Sequence, residues 1–197
     1  TQPLERTVEL DSASEVVVRK GDTDVMAWRF AVDPDHAPQI AFSQPPAPTA
    51  SGALGLKYTL KDDYGVVEAH AEVVPLERLN ASEEARPLFD APLIALSLPQ
   101  LRTRDGAGET IRDLTSHPWA GAKVKMTLVA RDEAEQEGRS EPVEVTLPAR
   151  RFFDPLARAV VEQRANLAMD ANAAPNVSDA LDALTLGPED TYDDIGN

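Results

Sequence analysis

A chain of 197 residues is long enough to bury the core of one domain with added elements, or the cores of two small domains. Its 34 Asp and Glu outnumber its 19 Lys and Arg, and the formal net charge of -15 disfavours binding to nucleic acids and to anionic membrane surfaces. The absence of Cys excludes disulfides, thiolate catalysis and Cys-ligated zinc sites.

Targeting signals are not apparent in the sequence. No apolar run approaches the roughly 20 residues that a membrane-spanning helix needs, and no signal peptide is visible. The chain starts with Thr1 rather than Met, so we expect an excised or processed segment whose targeting information lies elsewhere. A cysteine-free composition suits both the cytosol and a bacterial periplasm.

Residues 1–36 predict an amino-terminal β segment, either extra strands or part of a preceding sandwich. "EVVVR" (15–19) and "DVMAWRFAV" (24–32) flank "KGDT", whose Gly favours a turn. Large apolar residues fill alternate positions of the second run, which predicts one buried face. These positions are Met26, Trp28, Phe30 and Val32. We expect Trp28 to fill a core rather than to form a ligand platform.

Residues 37–149 predict an immunoglobulin-like antiparallel β-sandwich. About six short runs with strand periodicity alternate with turn signals over roughly 110 residues, which is the pattern of such sandwiches. The predicted strands are "QIAFS", 54–60, 66–74, 93–99, 124–130 and 143–147. The predicted connections are a Pro-rich loop (44–52), a turn (62–65), a long polar crossing between the sheets (99–122) and an acidic hairpin tip (132–139). The fold class is therefore mainly β.

Alternation within these runs also predicts the core. Each run of apolar residues at every second position should face inwards, with the polar positions outwards. The predicted inward residues are Leu54, Leu56, Tyr58, Leu60, Val67, Ala69, Ala71, Val73, Val124, Met126, Leu128 and Ala130. Trp119, near the start of a strand, should pack against this core.

Residues 150–197 predict a short carboxy-terminal helical segment and an acidic tail. "FFDPLARAVVEQRANLA" has helical spacing, and Asp154 followed by Pro155 is a helix-start signal. A second helix is predicted at roughly 177–186, before "GP". The first helix presents an apolar stripe that either folds back on the sandwich or belongs to a longer helical region outside this segment. In the second case the stripe is exposed and should cause self-association. The candidate partner-binding residues on this stripe are Phe153, Leu156, Val160 and Leu167.

Acidic loop residues raise the possibility of a calcium site. Carboxylates gathered at one end of a sandwich are suitable ligands for a hard cation. The candidates are Asp33, Asp35, Asp62, Asp63 and Asp132. Ordinary turn chemistry explains the same residues, because Asp beside Gly or Pro is common in turns and no ordered calcium-loop motif is present. Calcium therefore stays an alternative, and we expect no cofactor.

Catalytic motifs are not recognisable in the sequence. Glu68, His70 and Glu72 lie on one face of a predicted strand and would suit zinc. No fourth ligand is signalled, so a solvated strand face is the favoured interpretation. His117, before Pro and Trp, suits a capping or packing role. Neither a nucleophile elbow nor a phosphate-binding loop is found. We therefore predict that the protein is not an enzyme.

Three segments carry a resemblance to a known family: "YTLKDDYGV", "DLTSHPWAGAKVKMTLVARDEAEQEGRS" and "LPARRFFDPLARAVVEQRANLA". Together they resemble an uncharacterised family of alphaproteobacterial membrane proteins, over roughly residues 15–186. That family has two amino-terminal transmembrane helices, a periplasmic β-rich region and a low-complexity tail rich in Gln and Gly. The resemblance implies a location on the periplasmic side of the inner membrane and an anchor outside this segment. It carries no known activity.

The expected function is a non-catalytic periplasmic interaction or spacer module of a membrane-anchored envelope protein. Its partner would be another envelope protein or a second copy of the chain, bound at strand edges, loops or the helix face. A cell-wall polysaccharide-binding module is one alternative, although only 5% of the residues are aromatic. A calcium-rigidified, cadherin-like adhesion module is the other.

Overall fold

The computed structural model describes residues 7–8, 10, 12–76 and 86–185. The chain divides into two units, Thr1–His36 and Ala37–Asn197. The predicted acidic tail, at 189–197, lies outside the described residues. The fold is mainly β, with antiparallel sheets followed by two carboxy-terminal helices, which confirms the predicted fold class at that level.

The first unit is an antiparallel hairpin of β1 (Ser14–Lys20) and β2 (Thr23–Phe30). Gly21, at φ 62°, supplies the left-handed conformation that the tight turn requires. The expected burial of Trp28 is wrong, since 44% of this residue is exposed. The alternating pattern is real, but a two-stranded hairpin has no second layer of its own to cover an apolar face.

The second unit contains two antiparallel sheets. Its strands are β3 (Gln39–Pro48), β4 (Leu54–Val66), β5 (Glu68–Pro75), β6 (Ile94–Ala95), β7 (Thr103–Arg112), β8 (Lys123–Arg131), β9 (Glu137–Arg139) and β10 (Val143–Thr146). A three-stranded sheet has the order β3-β4-β7. The five-stranded sheet has the order β10-β8-β5-β6, with β9 also paired to β8. The predicted hairpin after β8 is thus confirmed, although residues 137–139 of its expected tip belong to β9.

Buried residues from both sheets form one hydrophobic core. The inward positions of β4, β5 and β8 are buried as alternation predicted, and Trp119 is only 4% exposed. Val67 is the exception, with 39% exposure. It follows Val66, which pairs with β7, while its own N–H donates to the carbonyl of Arg131 in the other sheet. The chain crosses between the sheets here, so the alternation of β5 begins only after Val67.

In this unit, strands form at three places where glycine and proline residues had favoured the prediction of a loop or a turn. The polar connection predicted at 99–122 contains β7, ten residues long, where Gly108 allows the ring of Tyr58 to approach its backbone. β3 continues into the predicted Pro-rich loop as far as Pro48, with register shifts. β4 continues through the predicted turn at 62–65, also with a shift. Irregular or edge strands tolerate such residues, because their backbone donors need not all be paired.

The expected strand at 93–99 is also shorter than predicted. Only Ile94–Ala95 pairs with β5, although Ile94 and Leu96 are both buried. The apolar alternation here therefore reports the burial of Ile94 and Leu96 correctly. The pairing with β5 ends after the Leu96 N–H, which donates to the carbonyl of Ala69. Ser97 instead hydrogen bonds to side chains of the opposite sheet.

Two helices complete the unit: α1 (Pro155–Met169) and α2 (Ala174–Thr185), joined by a 3-10 turn at Ala171–Ala173. The predicted start of α1 is confirmed, because the Asp154 carboxylate accepts the Leu156 N–H at 2.8 Å. α1 buries the small residues Ala165 and Ala168 against the core. No helix in the described part of the chain combines the length and apolarity needed to cross a membrane.

Candidate interaction site

A groove of about 640 Å³ lies where the first helix meets the end of the β region. One wall is the turn Ala120–Lys123, which leads into β8. The second wall is the linker 149–153 between β10 and α1, and the third is one face of α1 around Val161 and Ala165. Small and apolar side chains therefore form its floor, at a point where three segments of the second unit converge.

The groove is bordered by cations. Lys123, Arg150, Arg151 and Arg158 all line it and are all exposed. Among the described residues, none of these four side chains forms an ion pair at salt-bridge distance. The chain carries a net charge of -15, whereas these four cations without an ion-paired carboxylate make the border of the groove positive.

Glu162 and Asp113 are the nearby acidic groups that bear on this charge. Glu162 lines the groove itself. The carboxyl of Asp113 has its pKa held below the ordinary value, first by the N–H and hydroxyl of Thr115 and to a smaller extent by the charge of Arg150. Asp113 therefore stays ionised, and its carboxylate offsets part of the charge of Arg150.

The backbone groups of the linker 149–153 are not hydrogen bonded to other described residues. Leu147 forms the last strand-type hydrogen bonds before the linker. Its N–H donates to the carbonyl of Ala122, and its carbonyl accepts the N–H of Gly121. Between that point and the cap residue Asp154, no backbone N–H or C=O of the linker enters a hydrogen bond with another described residue. A segment with unpaired donors and acceptors is able to pair with another chain.

The predicted partner-binding residues are not brought together in this groove. Phe153 lines it and is 94% exposed, so its ring is almost entirely open to solvent. Val160 is also exposed, at 44%, while Leu156 and Leu167 are half-buried. The stripe is split because α1 turns its alanine face, rather than its larger residues, towards the core.

The predicted calcium residues are divided between the two units of the chain. Asp33 and Asp35 belong to the first unit, and Asp63 in the second unit is exposed. Asp62 accepts hydrogen bonds from the N–H groups of Tyr64 and Gly65, so it organises its own turn. Within the part of the chain that the structure describes, no three His, Asp or Glu side chains form a group able to hold a metal ion.

Asp132 resembles Asp62 in its local role. One carboxylate oxygen of Asp132 accepts the Gln136 N–H at 2.8 Å, which closes the loop between β8 and β9. Its other oxygen, like one oxygen of Asp62, is buried without a hydrogen-bond partner among the described residues. Both carboxylates therefore serve the turn chemistry that the sequence analysis gave as the alternative to calcium.

The predicted zinc face is held by an arginine. Glu72 accepts two hydrogen bonds from Arg139, at 2.7 and 2.9 Å, and this pairing lowers the pKa of its carboxyl. The His70 Nε2 lies 3.8 Å from Glu72. Glu72 is thus paired with Arg139 and lies beside His70, an arrangement that is ordinary on a solvated sheet face.

His117 has a structural role in its corner loop. Its Nδ1 accepts the N–H of Trp119 at 3.1 Å, and burial lowers the pKa of its imidazole. The Trp119 indole N–H in turn donates to the carbonyl of Phe89 at 3.0 Å. This arrangement fits the capping and packing role that was expected for His117.

Sequence reasoning missed the cationic border of the groove. The signal was present: "ARRFF" precedes the helix, and residues 165–197 contain seven Asp and Glu but no Lys or Arg. Such an asymmetry of charge along a chain indicates an interaction surface. Apolar spacing and helix-start signals along this segment do not report where its cations lie in the fold.

Comparison with known proteins gives a family but no activity. The family model for a domain of unknown function, DUF4175, matches residues 1–197. The chain therefore belongs to the DUF4175 family. No curated protein matches the chain.

Proposed function

We propose that this DUF4175 chain is a non-catalytic interaction module of a membrane-anchored protein in the bacterial envelope. The observation that carries the proposal is the groove beside α1, with its four cations and the almost fully exposed ring of Phe153. Exposed aromatic and Arg side chains around an apolar depression are the residue types that dominate binding energy at protein interfaces. The partner is another envelope protein; self-association is the competing possibility.

The scaffold supports the same role. Two antiparallel sheets around one core suit an immunoglobulin-like sandwich, an architecture that presents loops and strand edges to partners. The histidines and acids first considered for catalysis serve turns and strand faces instead. These uses favour a binding role over chemistry.

The proposed location is the periplasmic side of the inner membrane of an alphaproteobacterium, with an anchor outside this segment. It rests on the resemblance of three segments to anchored proteins that have two amino-terminal transmembrane helices and a Gln- and Gly-rich tail. A spacer role, in which the module only separates other parts of the protein, is the simplest competing function at that location.

Site-specific photocrosslinking in native envelopes tests this proposal. A photoreactive phenylalanine analogue at Phe153 should join the protein to one discrete partner. The matched control is the same analogue at Leu101, which is equally exposed, at 94%, but does not line the groove. Products confined to the chain itself, or to two of its copies, would contradict a partner protein and favour a spacer.

Polysaccharide binding is a second candidate because of the first unit. Trp28 and Phe30 point to the same side of β2, and each is 44% exposed. Neighbouring exposed rings on a strand are able to stack on sugars. Sedimentation with purified peptidoglycan tests this function: Trp28→Ala should abolish co-sedimentation, whereas equal sedimentation of both proteins would exclude these rings as a platform.

A further inference from the structure

We infer that the groove beside α1 binds an extended acidic peptide of the partner protein, laid along the linker 149–153. This inference rests on the interaction role proposed above and adds the chemistry of the partner. Three features carry it: the sign of the charge around the groove, the open backbone of the linker and the apolar floor.

The charge selects an acidic occupant. Arg151, Arg158 and Lys123 have no ionic partner among the described residues, although the chain carries 34 acidic groups. The cations therefore do not serve the internal stability of the second unit. Carboxylates entering between them would meet several guanidinium groups at once, and Arg binds carboxylates through paired N–H donors.

The linker backbone selects an extended peptide. Residues 149–153 offer both N–H and C=O groups that take part in no hydrogen bond with other described residues. A peptide running alongside is able to pair with them as an added strand, while its alternate side chains reach the groove. A bilayer surface is too broad to enter this groove and cannot supply backbone partners.

The floor selects a peptide that alternates acidic with apolar residues. The half-buried side chains of Val161 and Met169 form an apolar strip on α1, with the buried Ala165 beneath it and Phe152, 39% exposed, at its edge. In a strand, successive side chains point to opposite sides. A peptide with Leu or Tyr at every second position would cover this strip and direct its Glu or Asp residues towards the cations.

Fluorescence anisotropy with a defined peptide tests the inference. The probe is a fluorescein-labelled peptide of alternating Glu and Leu, and the charge control has Gln in place of each Glu. The acidic peptide should bind at least tenfold more tightly than its Gln counterpart, and more weakly as salt is raised. Equal affinity for both peptides would overturn the inference.

Charge reversal locates the site. The double variant R151E/R158E should lose at least tenfold in affinity. The matched control K57E/R104E carries the same change of charge on exposed residues of the three-stranded sheet that do not line the groove, and it should lose less than twofold. Equal losses in both variants would show a nonspecific effect of net charge and overturn the site.

Two further measurements separate the other occupants. The amides of Arg151 and Phe152 should become protected from hydrogen exchange when the acidic peptide binds; unchanged exchange overturns the added strand. Vesicles containing phosphatidylglycerol should not bind; binding that R151E/R158E abolishes would replace the peptide by an anionic lipid. If crosslinking at Phe153 still joins a partner while the peptide fails, only this inference is lost and the interaction role stands.

Discussion

The ring of Tyr58 lies directly over Gly108, its register partner on the neighbouring strand β7. A Cβ atom built on Gly108 would come within 2.7 Å of Tyr58 Cζ and 2.9 Å of its Oη. Tyr58 is itself completely buried, so the ring has no free space into which to move. A glycine that would ordinarily weaken a strand is therefore required here by close packing.

Replacement of Gly108 by Ala should destabilise the protein by about 2–3 kcal/mol, because the added methyl group must displace a buried ring. Urea unfolding measures the loss. Gly106→Ala is the matched control on the same strand, where the new Cβ would lie 3.2 Å from the Thr103 methyl and 3.3 Å from a Pro99 ring carbon. Its loss should stay below about 1 kcal/mol; equal losses would contradict the ring contact.

The hydroxyl of Tyr58 joins the two sheets. It donates to the carbonyl of Ser97 at 2.6 Å and lies 2.9 Å from the hydroxyl of Thr110, which accepts the Ser97 N–H. Tyr58→Phe should cost about 1–2 kcal/mol, since buried polar groups are left without a partner. A double-mutant cycle with Thr110→Val should give a coupling energy above about 0.5 kcal/mol. Strict additivity would show that the network does not act as a unit.

Protonation of His117 should destabilise the fold. Burial lowers its folded-state pKa below the ordinary 6.5, and its Nδ1 must stay unprotonated to accept the Trp119 N–H. Between the lowered and the ordinary pKa the unfolded chain binds more protons, so stability falls as pH decreases through that interval and is unaffected above it.

His117→Asn isolates this contribution to the pH dependence. The Asn side-chain oxygen is able to accept the same N–H two residues later but does not titrate. Urea unfolding between pH 5 and pH 8 should therefore show a smaller loss on acidification for the variant than for the wild type. Identical slopes would mean that His117 does not titrate in this range, and would contradict the predicted effect.

The two tryptophans should respond differently to an aqueous quencher. Trp28 is 44% exposed, whereas Trp119 is 4% exposed and donates its indole N–H to Phe89. Acrylamide should quench the Trp119→Phe variant, which retains Trp28, several times more strongly than Trp28→Phe. Similar quenching of both variants would show that the hairpin face is covered in solution.

Calcium should leave the stability of this segment unchanged. Asp62 and Asp132 each use one carboxylate oxygen to accept nearby backbone N–H groups, and the other oxygen is buried without a partner among the described residues. No group of three potential ligands occurs in the described ranges. Differential scanning calorimetry in calcium chloride and in EDTA should give melting temperatures within about 1 °C, since only a ligand that binds the folded state raises stability. A clear rise with calcium would restore the cadherin-like alternative.

Apolar alternation was the most informative property of the sequence. It identified the buried faces of β4, β5 and β8, because sandwich strands with one inward face repeat every second residue. It failed for β7, where "RDGAGE" has neither apolar periodicity nor strand propensity. The reason for that strand lies elsewhere in the chain, in the ring of Tyr58, and a local pattern does not report a contact 50 residues away.

The candidate site was harder to predict than the core. The helix start at Asp154 was evident from its cap and proline, and the exposed Phe153 lay among the predicted partner-binding residues. The convergence of Lys123 with Arg151 and Arg158 was not, because it depends on how α1 folds against the end of β8. A groove is a property of tertiary packing, so sequence indicates its charge but not its position.

The crossing at Val66 and Val67 has a consequence for any partner that binds the loops at the Arg131 end of β8, which is opposite to the groove at Lys123. These consecutive residues hydrogen bond in different sheets, so the two sheets are tied together at the backbone and neither can rotate freely over the other. The spacing of the loops at this end is therefore fixed before a partner binds. A surface that is preorganised in this way loses little conformational entropy on association, and more of its contact energy is retained as affinity.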